Sequence, residues 1–277
     1  MYKRQVHTSS PVPESVEGKV LALSEKLDQL CGNFCLGFTP SGNSDPYGLR
    51  RISNGILRIV LESSWDISLK ELVEHALEQL ALHGIKAQEK LSIEISKFLI
   101  ERFQLLQGDL GYPLDEIYSV THNEADPDGA KLRLLALRQK VEALHAVRNH
   151  PDFGAVAGAS KRAGNILRQA RQKGLEFSLE QFDASLLTDP AEKNLHETVA
   201  ALTLKTQPLL AQKQYRAALE SWVGVRADLD IFFEKVMVMD PNESLRRNRL
   251  SLLSILETRF RQIADFSLLQ TGGVGGE

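Results

Sequence analysis

LSIEISKFLIERFQLL, residues 91–106, carries Leu91, Ile95, Phe98, Leu99, Phe103 and Leu106 at steps of four, three and one. Those steps gather the six apolar side chains on one face of a helix with 3.6 residues per turn. The same rhythm recurs at Val20, Leu21, Leu23, Leu27 and Leu30, and again at Leu69, Leu72, Val73, Ala76, Leu77 and Leu80. Between the stripes stand "GNSDP", "HGIKAQ", "QGDLGYP", "ADPDG", "NHPDFG" and "TDP", each a capping or turn signal. An all-α chain is expected, with no repeat of fixed period.

One punctuated stretch is more detailed. In "TPSGNSDPYGLRR", Thr39–Arg51, Asp45 can accept from free N–H groups of a helix start, and Pro46 loses no hydrogen bond in a first turn. The reading starts a helix at Asp45–Pro46. Leu49, Ile52, Ile56 and Ile59 make its apolar stripe, and Arg50, Arg51 and Arg58 lie around it. Taken alone, the arginines read as a solvated or salt-bridged face.

A length of 277 residues allows about two domains. Composition is that of a folded globular protein, 43% hydrophobic and 25% charged. With 33 basic against 36 acidic side chains the formal charge is only −3, so any nucleic-acid signal must be local. No run approaches the roughly 18 apolar residues of a membrane span, and "MYKRQVHTSSPVPES" has no apolar core of a signal peptide. A cytoplasmic protein without a membrane partner is expected. Cys31 and Cys35, with no second Cys or His pair at metal spacing, read as buried reduced thiols.

Catalytic motifs are missing. The seven histidines form no H-E-x-x-H pair, and neither G-x-S-x-G nor a P-loop occurs. Asp66, Asp109, Asp115 and Glu116 lie in or beside loops, where caps and turns account for them. No catalytic residue and no metal site is expected. The tail "TGGVGGE", 271–277, lacks the strand and helix that a phosphate-cradling loop needs, and reads as a flexible end.

Charge is instead arranged in blocks. Lys131 to Lys173 holds ten basic residues against Glu142 and Asp152, whereas Gly174 to Leu245 holds six basic against twelve acidic. Arg246, Arg247, Arg249, Arg259 and Arg261 then face one acid, Glu257. Two basic helical segments of this kind are the electrostatic footprint of phosphate binding, and equally of a merely soluble surface.

Three ordered segments carry a resemblance. "ALSEKLDQLCGNFCLGFTPSGNSDPYGLRRISNGILRIVLE", 22–62, resembles the β subunit of bacterial heterotetrameric glycyl-tRNA synthetases around a P-T-G-x-x-D-P-F-A-L-R-R-like motif. Ser41 stands where that family usually has Thr, Tyr47 where it has Phe, and Gly48 where it has Ala. "ASKRAGNILRQA", 159–170, is similar to the opening helix of the family's anticodon-binding domain, which is related to the DALR-like domain of arginyl-tRNA synthetase. "DIFFEKVMVMDPNESLRRNRLSLLSILETRFRQIADFSLLQ", 230–270, is similar to that domain's end. The family's chain is much longer, so the resemblance implies a C-terminal fragment with Met1 not the natural start.

The resemblance also implies an organisation and a role. Residues 1–62 would be the end of an HD-like helical domain, 63–128 a helical linker and 129–270 an anticodon-binding bundle. Of the HD metal ligands, a His, a His-Asp pair and a last Asp, only Asp28 is present, and a capping or salt-bridging role is expected for it. The family's α subunit activates glycine with ATP and Mg, so no cofactor is implied for this chain. Its partners would be the tRNA for glycine, the α subunit and a second β subunit in a heterotetramer, but not DNA.

Unpaired anticodon bases need side chains that stack on them or meet their edges, and cations that hold the backbone. Lys161, Arg162, Asn165, Arg168 and Arg171 recur on one helix for this task, with Arg246 and Arg249 from the second basic segment. Asn165 and Arg249 could equally be struts between helices. Gly158 and Gly164 allow either close approach of RNA or tight helix packing. Arg50 and Arg51 would lie on a tRNA-facing or interdomain surface. Trp222, Phe232, Phe233 and Phe260 are expected in the core rather than as stacking platforms. Rival readings are an all-α protein-interaction scaffold and the remnant of an HD phosphohydrolase.

Overall fold

The computed structural model of the chain describes residues 11–123 and 131–270. Eleven α-helices occur among them and no β-strand, extended pairing being limited to an isolated bridge between Ser41 and Ser44. The described residues form two compact units, 11–110 with 131–137, and 111–123 with 138–270. No helix among them is long and apolar enough to cross a membrane.

The first unit is built from α1 (Val16–Cys35), α2 (Leu49–Glu62), α3 (Leu69–Leu82) and α4 (Leu91–Asp109). α1 packs on α2 and α3, and α4 closes against both. Leu30, Ile56, Leu57, Val73, Ile95, Leu99 and Phe103 are fully enclosed between them. Each large apolar side chain so buried contributes about 1.5–3 kcal/mol before conformational entropy is subtracted. The stripe along 91–106 is therefore the core face of α4, with Phe98 at its edge against Phe34, ring centroids 5.5 Å apart.

α2 begins at Leu49 rather than at Asp45–Pro46. Residues 45–48 first close a turn, with the Gly48 N–H donating to the Asp45 carbonyl at 3.1 Å. Gly48 sits at φ 66°, the left-handed region that a side chain disfavours. Asp45 still caps the helix, its carboxylate accepting from the N–H groups of Leu49 at 2.8 Å and Arg50 at 3.0 Å. The capping residue is legible in the sequence; the turn that displaces the helix is set by glycine.

The second unit contains α5 (Leu114–Thr121), α7 (Phe153–Gln172), α8 (Pro190–Ala211), α9 (Tyr215–Trp222), α10 (Arg226–Lys235) and α11 (Glu243–Phe260). α6 (Leu134–Arg148) belongs to this unit from Arg138 onward. Asp189, Pro190 and Glu192 start α8 with a full capping box, the outcome that "TDP" signals. Trp222, Phe232, Phe260 and Phe266 fill the core, Phe260 stacking on Phe266 at 4.8 Å and meeting Trp222 edge-on at 5.4 Å.

Residues 111–123, grouped with the 63–128 segment on sequence, pack into this second unit. Glu116 is wholly buried and pairs with His145 Nδ1 at 2.9 Å and Arg148 at 3.0 Å. The Asp265 N–H donates to the Ser119 carbonyl at 2.7 Å, and the Gln270 N–H donates to Asp115 at 2.9 Å. The "ADPDG" turn and the glycine tail lie outside the described residues.

Candidate nucleic-acid interface

α7 turns one face inward through Val156, Ala157, Ser160, Ala163, Gly164, Leu167 and Ala170. Because these small residues fill the inner face, the cations of "KRAGNILRQAR" are left outside it. Arg162, Arg168 and Arg171 are exposed, while Lys161 and Asn165 are half-buried. Gly164 approaches the Glu257 side chain, an ideal Cβ there lying 3.5 Å from its carboxylate, so this glycine serves helix packing. A Cβ at Gly158 would meet nothing within 4 Å.

The five polar residues are differently engaged. Arg168 donates to the Asn165 side-chain oxygen one turn away, so Asn165 holds a neighbour on its own helix rather than bridging to another. Arg171 lies 3.6 Å from Glu257 and 5.2 Å from the centre of the Phe177 ring. The Arg162 guanidinium lies 4.4 Å from the centre of the Phe233 ring. Phe233, expected in the core, is half-exposed beneath that guanidinium while Phe232 beside it is buried.

In the second basic segment, Arg246 is half-buried and donates to the Asp240 carbonyl at 2.8 Å. Arg249 is a strut. Its side chain is 9% exposed, forms a close ion pair with Glu192 at 1%, and reaches Asp240 at 2.7 Å and the Met237 carbonyl at 2.9 Å. Burial works against its charge, but the hydrogen bonds to Glu192 and Asp240 outweigh it and raise the guanidinium pKa above its ordinary value. Asp240 is held below the usual carboxylate range by the Asn242 N–H and, against burial, by Arg249. With every donor direction turned to protein acceptors, Arg249 is withdrawn from the expected RNA surface.

In the first unit Arg50 reaches back to the Gly42 carbonyl at 2.6 Å and secures the loop, whereas Arg51 is exposed. Burial, followed by the nearby Arg50 charge, lowers the pKa of Arg102, which donates twice to Asn54 at 3.3 Å. Arg58 pairs with Glu62 at 2.8 Å. Cys31 is buried, and burial, Cys35 and Asp28 push its thiol up to about 12.

Residues 2–122 match the family described as "Glycyl-tRNA synthetase beta subunit", and residues 156–266 match "DALR anticodon binding domain". The chain is 37% identical over 265 residues to the glycine–tRNA ligase beta subunit of Acidobacterium capsulatum, and 35% over 258 residues to that of a Geobacter species. It belongs to the glycyl-tRNA synthetase beta-subunit family. The alignments take in 93% of this chain and 36% of each of those relatives, so the chain spans about a third of their length. A beta subunit of Acinetobacter baumannii aligns likewise, at 36% identity over 263 residues.

Within this beta-subunit chain the remnant of an HD metal site does not fit a metal. Asp28 is exposed midway along α1, which also removes the expected capping role. Among the described residues no three His, Cys, Asp or Glu side chains gather where they could hold an ion. The DALR match begins in α7 and ends in the turn Phe266–Leu268 that packs against it, so it takes in both faces just described.

Proposed function

We propose that the chain is the anticodon-recognising, tRNA-binding part of a glycyl-tRNA synthetase beta subunit. The carrying observation is that the DALR match opens on a helix whose exposed face bears Arg162, Arg168 and Arg171. In this reading residues 129–270 supply the anticodon-binding function, while 1–62 and 63–128 connect it to the rest of the subunit. Lys161, Arg162, Arg168 and Arg171 hold the RNA backbone, Asn165 and Arg246 lie beside them, and Arg51 extends the tRNA-facing surface. The chain supports attachment of glycine to its tRNA in the cytoplasm without catalysing it. Glycine activation with ATP and Mg takes place on the α subunit, and a second beta subunit completes a heterotetramer.

Filter binding of the purified chain to the tRNA for glycine, and to a non-cognate tRNA, tests this across a salt series. Lys161, Arg162 and Arg168 changed together to Ala should flatten the salt slope by about two units, since each lost phosphate contact removes about 0.7–0.9. Changing Arg58, Lys70 and Arg216, each paired one turn away with Glu62, Glu74 or Glu220, should leave it unchanged. Equal binding of both tRNAs by the parent, or an unaltered slope in the first triple variant, overturns the reading.

A further inference from the structure

A cleft of about 370 Å³ opens between α7 and α10, large enough for one small ring system. Ala155, Gly158 and Ala159 make its α7 wall, and the missing Cβ of Gly158 leaves that wall flat and open. Phe233 comes from α10, its ring fixed by an edge-on contact with buried Phe232 at 5.5 Å. Arg162 lies over the ring at 4.4 Å and stays exposed on its outer side. Asp230 and Glu234 edge the same cleft.

Each part constrains the occupant. A guanidinium layered on an aromatic ring presents a flat cationic platform, on which RNA bases stack. The small α7 residues admit a thin ring and offer no polar partner to a bulky one. A phosphate is disfavoured, because two carboxylates share the cleft with Arg162. Asp230 is 3.5 Å from Arg226 and Glu234 is 3.3 Å from Lys235, yet their side chains remain 56% and 70% exposed and free to accept more. Carboxylates accept from an exocyclic amine, the pairing by which Asp and Glu select cytosine. Every glycine codon begins with two guanines, so its anticodon carries two cytosines.

We propose that this cleft is a base pocket in which an unpaired cytosine of RNA stacks on the Arg162–Phe233 platform and donates its amine to Asp230 or Glu234. The proposal rests on the tRNA-binding reading and adds the base, the pocket and the discriminating residues. Phe233 and Gly158 then have functions that helix packing does not require. The two acids also explain why an acidic segment adjoins the basic helix: it supplies selectivity where the basic face supplies grip.

The test uses the intact chain and a short stem–loop RNA with two cytosines in its loop, compared with the same RNA carrying uracils. Uracil replaces the amine donor with an acceptor. Fluorescence anisotropy should show the parent preferring the cytosine loop by about tenfold or more. Asp230→Asn with Glu234→Gln should bring that ratio near one while raising affinity for the uracil loop, because negative charge is removed. Arg162→Lys keeps the charge but loses the planar platform, and should weaken the cytosine loop about five- to tenfold at an unchanged salt slope. Phe233→Leu should do the same with an unchanged melting temperature. If the parent discriminates and the acid-to-amide variant discriminates equally, the base is read elsewhere; the pocket is refuted and the tRNA-binding reading stands. If the parent binds neither RNA nor the tRNA for glycine, both fall together.

Discussion

Replacing Arg249 by Met separates an internal strut from an RNA contact. The change removes the partner of Glu192 Oε1, whereas Glu192 Oε2 keeps the N–H groups of Thr188 at 2.8 Å and Asp189 at 3.0 Å. It also strips Asp240 and the Met237 carbonyl of their shared donor. Breaking a buried ion pair costs about 3–5 kcal/mol, and the retained capping bonds place this case near 3. At roughly 2–4 °C per kcal/mol the transition of the second unit should fall by about 6–12 °C in a circular-dichroism melt. Glu192→Gln combined with Arg249→Met should recover about 1–2 kcal/mol, because the stranded charge is gone. Below the transition, the salt slope for tRNA should equal that of the parent. A melting temperature within a degree of the parent, together with a slope lowered by most of a unit, would refute the strut.

Three further outcomes are expected. Gly48→Ala should destabilise the first unit by about 1 kcal/mol, since its φ of 66° strains an L-residue, and an unchanged urea midpoint would refute that. At pH 8 a thiol-alkylating reagent should modify half-buried Cys35 before Cys31, whose thiol at about 12 carries almost no thiolate in the native chain; equal rates resolved by mass spectrometry would contradict this. A fragment of residues 111–270 should melt higher than one of 129–270, because only the longer one contains Glu116 for His145 and Arg148. Equal melting curves would show that α5 adds nothing.

Helical class was legible because one physical signal, apolar spacing, is local. Leu91, Ile95, Leu99 and Phe103 are buried as their spacing requires, and Ser68 and Asp189 cap the helices they precede. The interface was less legible because its discriminating contacts are not local. Arg247 and Arg249 look alike in sequence, but Arg249 is buried by an acid 57 positions away and Arg247 pairs with Glu243 on its own helix. Adjacent Phe232 and Phe233 carried a usable clue: neighbours on a helix diverge by about 100°, so one narrow core stripe cannot bury both. Gly48 shows the limit from the other side, since a capping residue predicts that a helix follows but not how many residues the turn consumes.

The tie between Asp115 and Gln270 spans 155 positions and has a temporal meaning. At about 5–20 residues per second, a ribosome exposes α5 roughly 8–30 s before the residue that fastens to it. The Glu116 pairing with Arg148, only 32 positions on, is available much sooner. The nascent chain therefore seats α5 against α6 first and secures it from the far end last. Completion of the RNA-gripping unit is the closing event of its synthesis.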